Sequence, residues 1–265
     1  MNRKLPIREF TKDGTVVWPC PQCSHGALQL RKESLFEGET TESKVSSGDP
    51  AWEPEWIDGR FSCMMGCPHC GGQISVAGKY RVQDDRYYDE REGGGGEYQS
   101  YYRPEFFSES PPLIAVPEET PPEVLEELRG SFRLFWADPS ACANRIRSSL
   151  EALLTAQRIP LTTGRIAAKG RRKFLSLHDR LVRFAAKQPE LSEALMAVKW
   201  LGNAGSHSSP VTEDDIRDGF EIVELVLDKL YSRREQRVKS LSRAINRRKG
   251  PRSARRPPRA GPNDR

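Results

Sequence analysis

The sequence predicts an α+β protein, with a small β-rich zinc ribbon followed by an all-α helical bundle. Two Cys-Pro-x-Cys motifs lie among short β-type runs within residues 15–83. Residues 121–231 instead repeat apolar side chains at three- and four-residue steps, which is typical of amphipathic helices. Hydrophobic residues make up only 36% of the 265 residues, so we expect folded parts joined by a linker rather than one large globule.

The first part is predicted to be a metal site built from CPQC at 20–23 and CPHC at 67–70. Two such knuckles present four thiolates, from Cys20, Cys23, Cys67 and Cys70, to one tetrahedral Zn²⁺. The 43 residues between the knuckles exceed the usual ribbon spacing, which indicates an inserted loop. Cys63 lies four residues before Cys67, and the spacing alone leaves open an exchange of these two ligands. The cofactor we expect is structural zinc.

Composition then divides the rest of the chain. We predict a zinc-ribbon domain over 1–83, an acidic Gly/Pro-rich linker over 84–116, a helical domain over 117–232 and a basic tail over 233–265. The tail begins as a helical extension and ends in a disordered part that is too charged and Pro-rich to fold alone. The aromatic residues of the linker suggest that parts of it pack onto a domain. In the helical domain, a Thr-x-x-Asp capping signal at Thr212 marks the start of the last helix.

Charge is distributed unevenly along the chain. Residues 233–265 contain thirteen Lys and Arg against two acids, whereas residues 84–127 contain thirteen acids against three Arg. The tail could neutralise several phosphates of RNA or DNA, or it could lie on the acidic linker. No apolar run is long enough to predict a membrane span, and the first residues carry no secretory signal pattern. We therefore expect a cytoplasmic protein.

A second candidate site lies in the helical domain, around the segment KWLGNAGSH at 199–207. Asn203 and His207 are four residues apart, so a helical turn projects them the same way, and the glycines leave room for a close approach. On an earlier helix, Arg147 shares one polar face with Asn144, Ser148 and Glu151. This face is either a solvated surface with an ordinary Arg147–Glu151 pair, or one wall of a site that includes KWLGNAGSH.

These residues resemble a known family. LFWADPSACANRIRSSLEALL at 134–154, followed by KWLGNAGSH, is similar to the bacterial domain of unknown function 4145 family, which is grouped with the HEPN-like helical bundles. Similar members carry an upstream zinc knuckle, matched here by WPCPQC from Trp18 and by Phe61, Cys67, Val76 and Gly78. That match favours Cys67 over Cys63 as ligand.

The resemblance implies a homodimer and, in many HEPN proteins, a metal-independent RNase. In that chemistry His207 would be the general base toward a ribose 2′-hydroxyl, with Asn203 completing the family's Asn-x-x-x-His signature. The Arg that such an enzyme places shortly before its His is missing, and the nearest cation in the segment is Lys199. Arg147 could supply the cation from the neighbouring helix.

Two functions follow as hypotheses. The first is a nucleic-acid-associated module linked to bacterial defence or RNA metabolism, with an RNase centre of His207, Asn203, Arg147 and Lys199. The second is a non-catalytic dimerisation or interaction protein that docks onto a partner effector. The absence of Walker, GxSxG and HExxH motifs argues against an NTPase, an α/β-hydrolase or a zincin.

Overall fold

A computed structural model describes residues 9–14, 18–85, 87–89, 93–95, 97–166, 172–204, 211–232 and 234–251. The N-terminal half contains β1 (Gln29–Leu30), β2 (Phe36–Glu39), α1 (Thr41–Ser46), β3 (Asp58–Gly66), β4 (Gln73–Asp84), β5 (Tyr87–Asp89), β6 (Gly93–Gly95) and β7 (Tyr98–Phe107). The C-terminal half contains α2 (Pro122–Phe135), α3 (Pro139–Ala156), β8 (Thr162–Ile166), β9 (Arg172–Phe174), α4 (Leu177–Ala185), α5 (Pro189–Ala204), α6 (Glu213–Tyr231) and α7 (Arg234–Arg248). At this level the predicted order, a β-rich part followed by a helical part, is confirmed.

The N-terminal half is organised around one antiparallel sheet. β3 pairs with β4 and β4 with β7, while β1 and β2 pair with successive parts of the other edge of β3. Alternate residues of β3, among them Phe61, Cys63 and Met65, are buried, and the residues between them are more exposed. This alternation places one face of the sheet on the core and leaves the other toward solvent.

The predicted linker over 84–116 is corrected by β7, which runs through its middle. β7 pairs with β4 along most of its length, with Tyr102 opposite Tyr80 and both side chains buried. Glycine, proline and acidic composition indicated a linker, but a strand is stabilised mainly by its cross-strand neighbours, which composition does not reveal. Of the predicted linker, the residues from 108 onward connect the sheet to α2.

The sheet and the helices share a continuous apolar core. Trp18 is fully buried, and its ring lies edge-on to Trp136 at the end of α2, with ring centroids 5.3 Å apart. Phe107 of β7 contacts both indoles, at 5.3 Å from Trp18 and 4.7 Å from Trp136. The Trp136 indole N–H also donates to Ser110 Oγ at 2.9 Å. The two halves are therefore packed together at this aromatic cluster.

α3 is the central helix of the C-terminal half and contacts α2, α4, α5 and α6. The predicted apolar stripe of α3, which includes Cys142, Ile146 and Leu150, is buried. The expectation of an all-α domain is corrected by the β8–β9 hairpin, which lies between α3 and α4. Within the described part of the chain, no helix combines the length and apolar character needed to cross a membrane.

Residues 234–248 form α7, at the position where the sequence predicts a helical extension into the tail. Its side chains described from Arg237 onward are almost all exposed to solvent. Arg and Lys have good helix propensity, and here they alternate with Val238, Leu241 and Ile245 at helical spacing. The remaining residues of the predicted tail, 252–265, lie outside the described residues.

Candidate functional site

Four cysteines from the two predicted knuckles converge at one end of the sheet. The sulfur atoms of Cys20, Cys23, Cys67 and Cys70 all lie within 4.8 Å of one another. Two of the separations, Cys20 to Cys70 and Cys23 to Cys67, are 3.7 Å. Four sulfurs at about 2.3 Å from a tetrahedral Zn²⁺ would be about 3.8 Å apart, so the cluster has the dimensions of a metal site.

Both knuckles fold in the same way. In each, the carbonyl of the first cysteine accepts a bond from the N–H four residues later, from Ser24 to Cys20 and from Gly71 to Cys67, both at 2.9 Å. That fourth residue has a left-handed backbone in both cases, with φ of 55° at Ser24 and 76° at Gly71. Glycine adopts this conformation freely, whereas serine does so at some energetic cost.

Backbone N–H groups of the knuckles point at the sulfur atoms. The N–H groups of His25 and Gly26 donate to Cys23 and lower the pKa of its thiol to about 6. A Cβ at Gly26 would lie 2.5 Å from Cys67 Sγ, so only glycine fits between the knuckles. The donors aimed at Cys23 Sγ favour the thiolate form of this cysteine, which is the form that binds metal.

Cys63 lies apart from this cluster. It is buried in the core face of β3, opposite Val76 of β4, and burial raises the pKa of its thiol to about 12. The structure thus groups Cys67, and not Cys63, with the other three cysteines. Of the histidines beside the knuckles, His25 and His69 are exposed, and their rings stack with centroids 5.6 Å apart. No sequence pattern predicts that stacking.

The second candidate site lies where α3 crosses α5. A Cβ at Gly202 would lie 2.5 Å from Arg147 Cβ and 3.1 Å from the Ala143 carbonyl oxygen, so the two helices touch here. Arg147 Nη2 is 3.4 Å from Glu151 Oε1, and both side chains are partly exposed. Arg147 Nε is buried and has no hydrogen-bond partner among the described residues. Arg147 therefore contacts Gly202, the residue that precedes Asn203.

Lys199 and Asn203 lie on α5 at the same crossing. Lys199 is only 8% exposed, and it is three residues before Gly202 on the buried side of the helix. Its Nζ lies 3.4 Å from the centroid of the exposed Trp200 ring. Asn203 is half-buried in the last turn of α5, and His207 lies outside the described residues.

Arg180 is a buried cation that the sequence analysis missed. It is 2% exposed and donates to the Glu151 carbonyl at 3.1 Å, Thr155 Oγ1 at 2.8 Å and the Ile159 carbonyl at 3.2 Å. Burial lowers its pKa. A cation at these carbonyls complements the negative end of the α3 dipole, so Arg180 holds α4 to the end of α3. In the sequence it is one Arg of an amphipathic helix, with no distinguishing pattern.

Comparison with known protein families found two matches. Residues 8–107 match the model of a domain of unknown function (DUF8608), and residues 130–248 match that of a domain of unknown function (DUF4145). No curated protein and no solved structure matched the chain. The first match covers the four-cysteine cluster and the sheet, and the second runs from within α2 to the last residue of α7. The similarity of the helical part to the domain of unknown function 4145 family is thus confirmed.

Proposed function

We propose that the four-cysteine cluster is a zinc ribbon that holds the N-terminal half onto the helices. Cys20, Cys23, Cys67 and Cys70 would be the ligands, and the fit is supported by their separations and by the N–H donors around them. Thiolate ligands in a tetrahedral set favour zinc, and such a site contributes directly to folding. Trp18, two residues before Cys20, packs on Trp136, so metal binding would also order the junction with α2.

Metal content tests the ribbon. The purified chain is expected to contain one zinc per molecule by elemental analysis, and Cys67→Ser is expected to lose it. Cys63→Ser is the matched control, since it removes a buried thiol outside the cluster, and it should keep the zinc. Because Trp18 is close to the site, metal loss should also red-shift tryptophan emission. Zinc lost equally from both variants would contradict the ligand assignment.

For the helical part, we propose an HEPN-like site that binds a nucleic-acid phosphate and acts as an RNase in bacterial defence or RNA metabolism. The observation that carries this proposal is the contact of Arg147 with Gly202, because it supports a cation from α3 beside the Asn-x-x-x-His segment. Arg is suited to this role, since its planar donors match a phosphate. Arg147 Nε, for which the described part of the chain offers no acceptor, is one donor that a bound anion would satisfy.

In this proposal His207 removes the proton from a ribose 2′-hydroxyl, and the resulting oxygen attacks the adjacent phosphorus. The P–O5′ bond then breaks, and the leaving 5′-oxygen takes a proton from water, which leaves a 2′,3′-cyclic phosphate and a 5′-hydroxyl end. Arg147 stabilises the charge that develops on the phosphate oxygens, with Lys199 as a second nearby cation and Asn203 orienting the substrate. The basic tail adds salt-sensitive affinity for the RNA or DNA backbone.

RNA cleavage in EDTA tests the reaction class. Incubation of the protein with labelled single-stranded RNA is expected to give products with 2′,3′-cyclic phosphate ends, with the zinc content measured afterwards to verify an intact ribbon. Binding that weakens with salt, without cleavage, would contradict the RNase and leave a binding module. No binding and no cleavage would contradict both.

A non-catalytic interaction module is the second candidate. It is favoured by apolar side chains that the helical part leaves exposed, among them Trp200 at 57% and the residues of α7. In this case Arg147, Asn203 and Gly202 pack a helix crossing, and the chain docks onto a partner, either a second copy or an effector protein. Retained partner binding by an Arg147→Ala variant would favour this function.

A further inference from the structure

α7 carries an apolar stripe that nothing covers in the described part of the chain. Val238, Leu241 and Ile245 are 53%, 41% and 49% exposed, and their spacing of three and four residues places them on one side of the helix. Residues 237–249 contain six Lys and Arg and no acid. Arg237 immediately precedes the stripe and Arg248 follows it by about one turn, so positive charge lies at both ends.

The outer face of α6 has the opposite character. Asp214, Asp218, Glu221, Leu225 and Asp228 recur at four, three, four and three residues, and all five are exposed. They form a straight row, in which Leu225 is 49% exposed and has an acid on each side. This acidic row (Asp214 to Asp228) therefore presents one apolar contact between two acids, with the exposed Lys229 one turn after Leu225.

The two faces are opposite in charge. On α7 the apolar residues are accompanied by cations and by no acid, and on α6 the apolar residue has an acid about one turn away on each side. Both faces are exposed in the same chain, so α7 does not cover its own α6. The domain of unknown function 4145 match ends at residue 248, which includes α7 in that domain rather than in a separate tail.

We propose that α7 of one copy packs its apolar stripe against the acidic row of α6 in a second copy, and that the exchange is reciprocal. A two-fold dimer then buries Val238, Leu241 and Ile245 against Leu225 twice, with Arg237 and Arg248 facing acids of the partner. A nucleic acid is the weaker occupant, since phosphates neutralise the cations but leave the apolar stripe in water. The dimer does not depend on whether the α3–α5 site cleaves RNA.

Charge reversal of each face tests the pairing. Wild-type protein is expected to sediment as a dimer with twice the 30.0 kDa mass of one chain. Glu221→Lys/Asp228→Lys and Arg237→Glu/Arg248→Glu should each weaken the dimer about 100-fold, because four opposite-charge contacts become like-charge contacts. Glu33→Lys/Glu42→Lys changes two exposed acids in the N-terminal half and is the matched control, with the dimer unchanged.

The decisive measurement mixes the two reversed variants. In the mixture each α7 meets an α6 of opposite charge, so a heterodimer should form although neither variant dimerises alone. Circular dichroism of each variant verifies that the helices are intact. A monomeric wild type, a wild-type dimer that both reversals leave unchanged, or reversed variants that stay monomeric when mixed would each overturn the proposal. So would an α7 stripe protected from solvent only when single-stranded RNA is added.

Discussion

Substitution of Gly202 by alanine tests the close contact between α3 and α5. The added Cβ would lie 2.5 Å from Arg147 Cβ and 3.1 Å from the Ala143 carbonyl, and neither atom is the end of a flexible side chain. The helices must therefore separate, which costs about 1–3 kcal/mol by the usual measure of overpacking. Alanine recovers about 1 kcal/mol of helix propensity relative to glycine, so we expect a net loss of up to about 2 kcal/mol.

Gly219→Ala is the matched control for this change. Gly219 is also a buried glycine inside a helix, but the nearest atom to its added Cβ would be Leu201 Cδ1 at 3.5 Å, an ordinary contact. It should therefore stabilise the protein by up to about 1 kcal/mol. Urea unfolding followed by circular dichroism measures both free energies, provided that the m-value is unchanged. Equal stabilisation by the two substitutions would refute the tight crossing.

Two further changes test the buried cation and the cap of α6. Arg180→Met should cost about 3 kcal/mol of unfolding free energy, because it leaves buried acceptors without their charged donor. Arg183→Met, at an exposed position of α4, should stay within about 0.5 kcal/mol, and thermal or urea unfolding compares them. The backbone N–H of Thr212 donates to Asp215 Oδ2 at 2.8 Å, and the Thr212 hydroxyl donates to the same oxygen. Both bonds lower the pKa of Asp215, and the hydroxyl bond is the larger cause. Asp215→Ala should cost about 1 kcal/mol at neutral pH. A carboxyl group whose pKa is lowered in the folded state stabilises the protein above its unfolded pKa, and this stabilisation is lost as the pH falls through the folded pKa. The cost of Asp215→Ala should therefore shrink below about pH 4. A cost independent of pH would contradict the role of the carboxylate.

The local patterns of the sequence were sufficient for the metal cluster and for most helices. Two CPxC motifs predict a pair of knuckles wherever they lie, because the turn is set within four residues. The Thr212 cap was likewise a local signal, and the structure has the reciprocal bonds it predicted. Both features depend only on residues a few positions apart in the sequence.

The features that sequence reasoning missed depend on distant partners. β7 is a strand because β4 lies beside it, whereas the glycines, prolines and acids of the whole segment 84–116 indicated a linker. Arg180 is buried because the carbonyls at the end of α3 are there to receive it. The approach of Arg147 to Gly202 was proposed from a polar face and a small-residue segment, but only the packing of α3 on α5 brings the two together.

The most direct test of the proposed function is the rate of single-stranded RNA cleavage by variants of Arg147. Wild-type protein should cleave in EDTA, and Arg147→Ala should lower the single-turnover rate by about 100-fold or more, as expected for loss of one donor to the developing charge. Arg145→Ala, which removes a neighbouring α3 cation paired with Glu127 at 2.8 Å, should leave the rate unchanged. Equal rates for wild type and Arg147→Ala, with both proteins folded and zinc-loaded, would contradict the account.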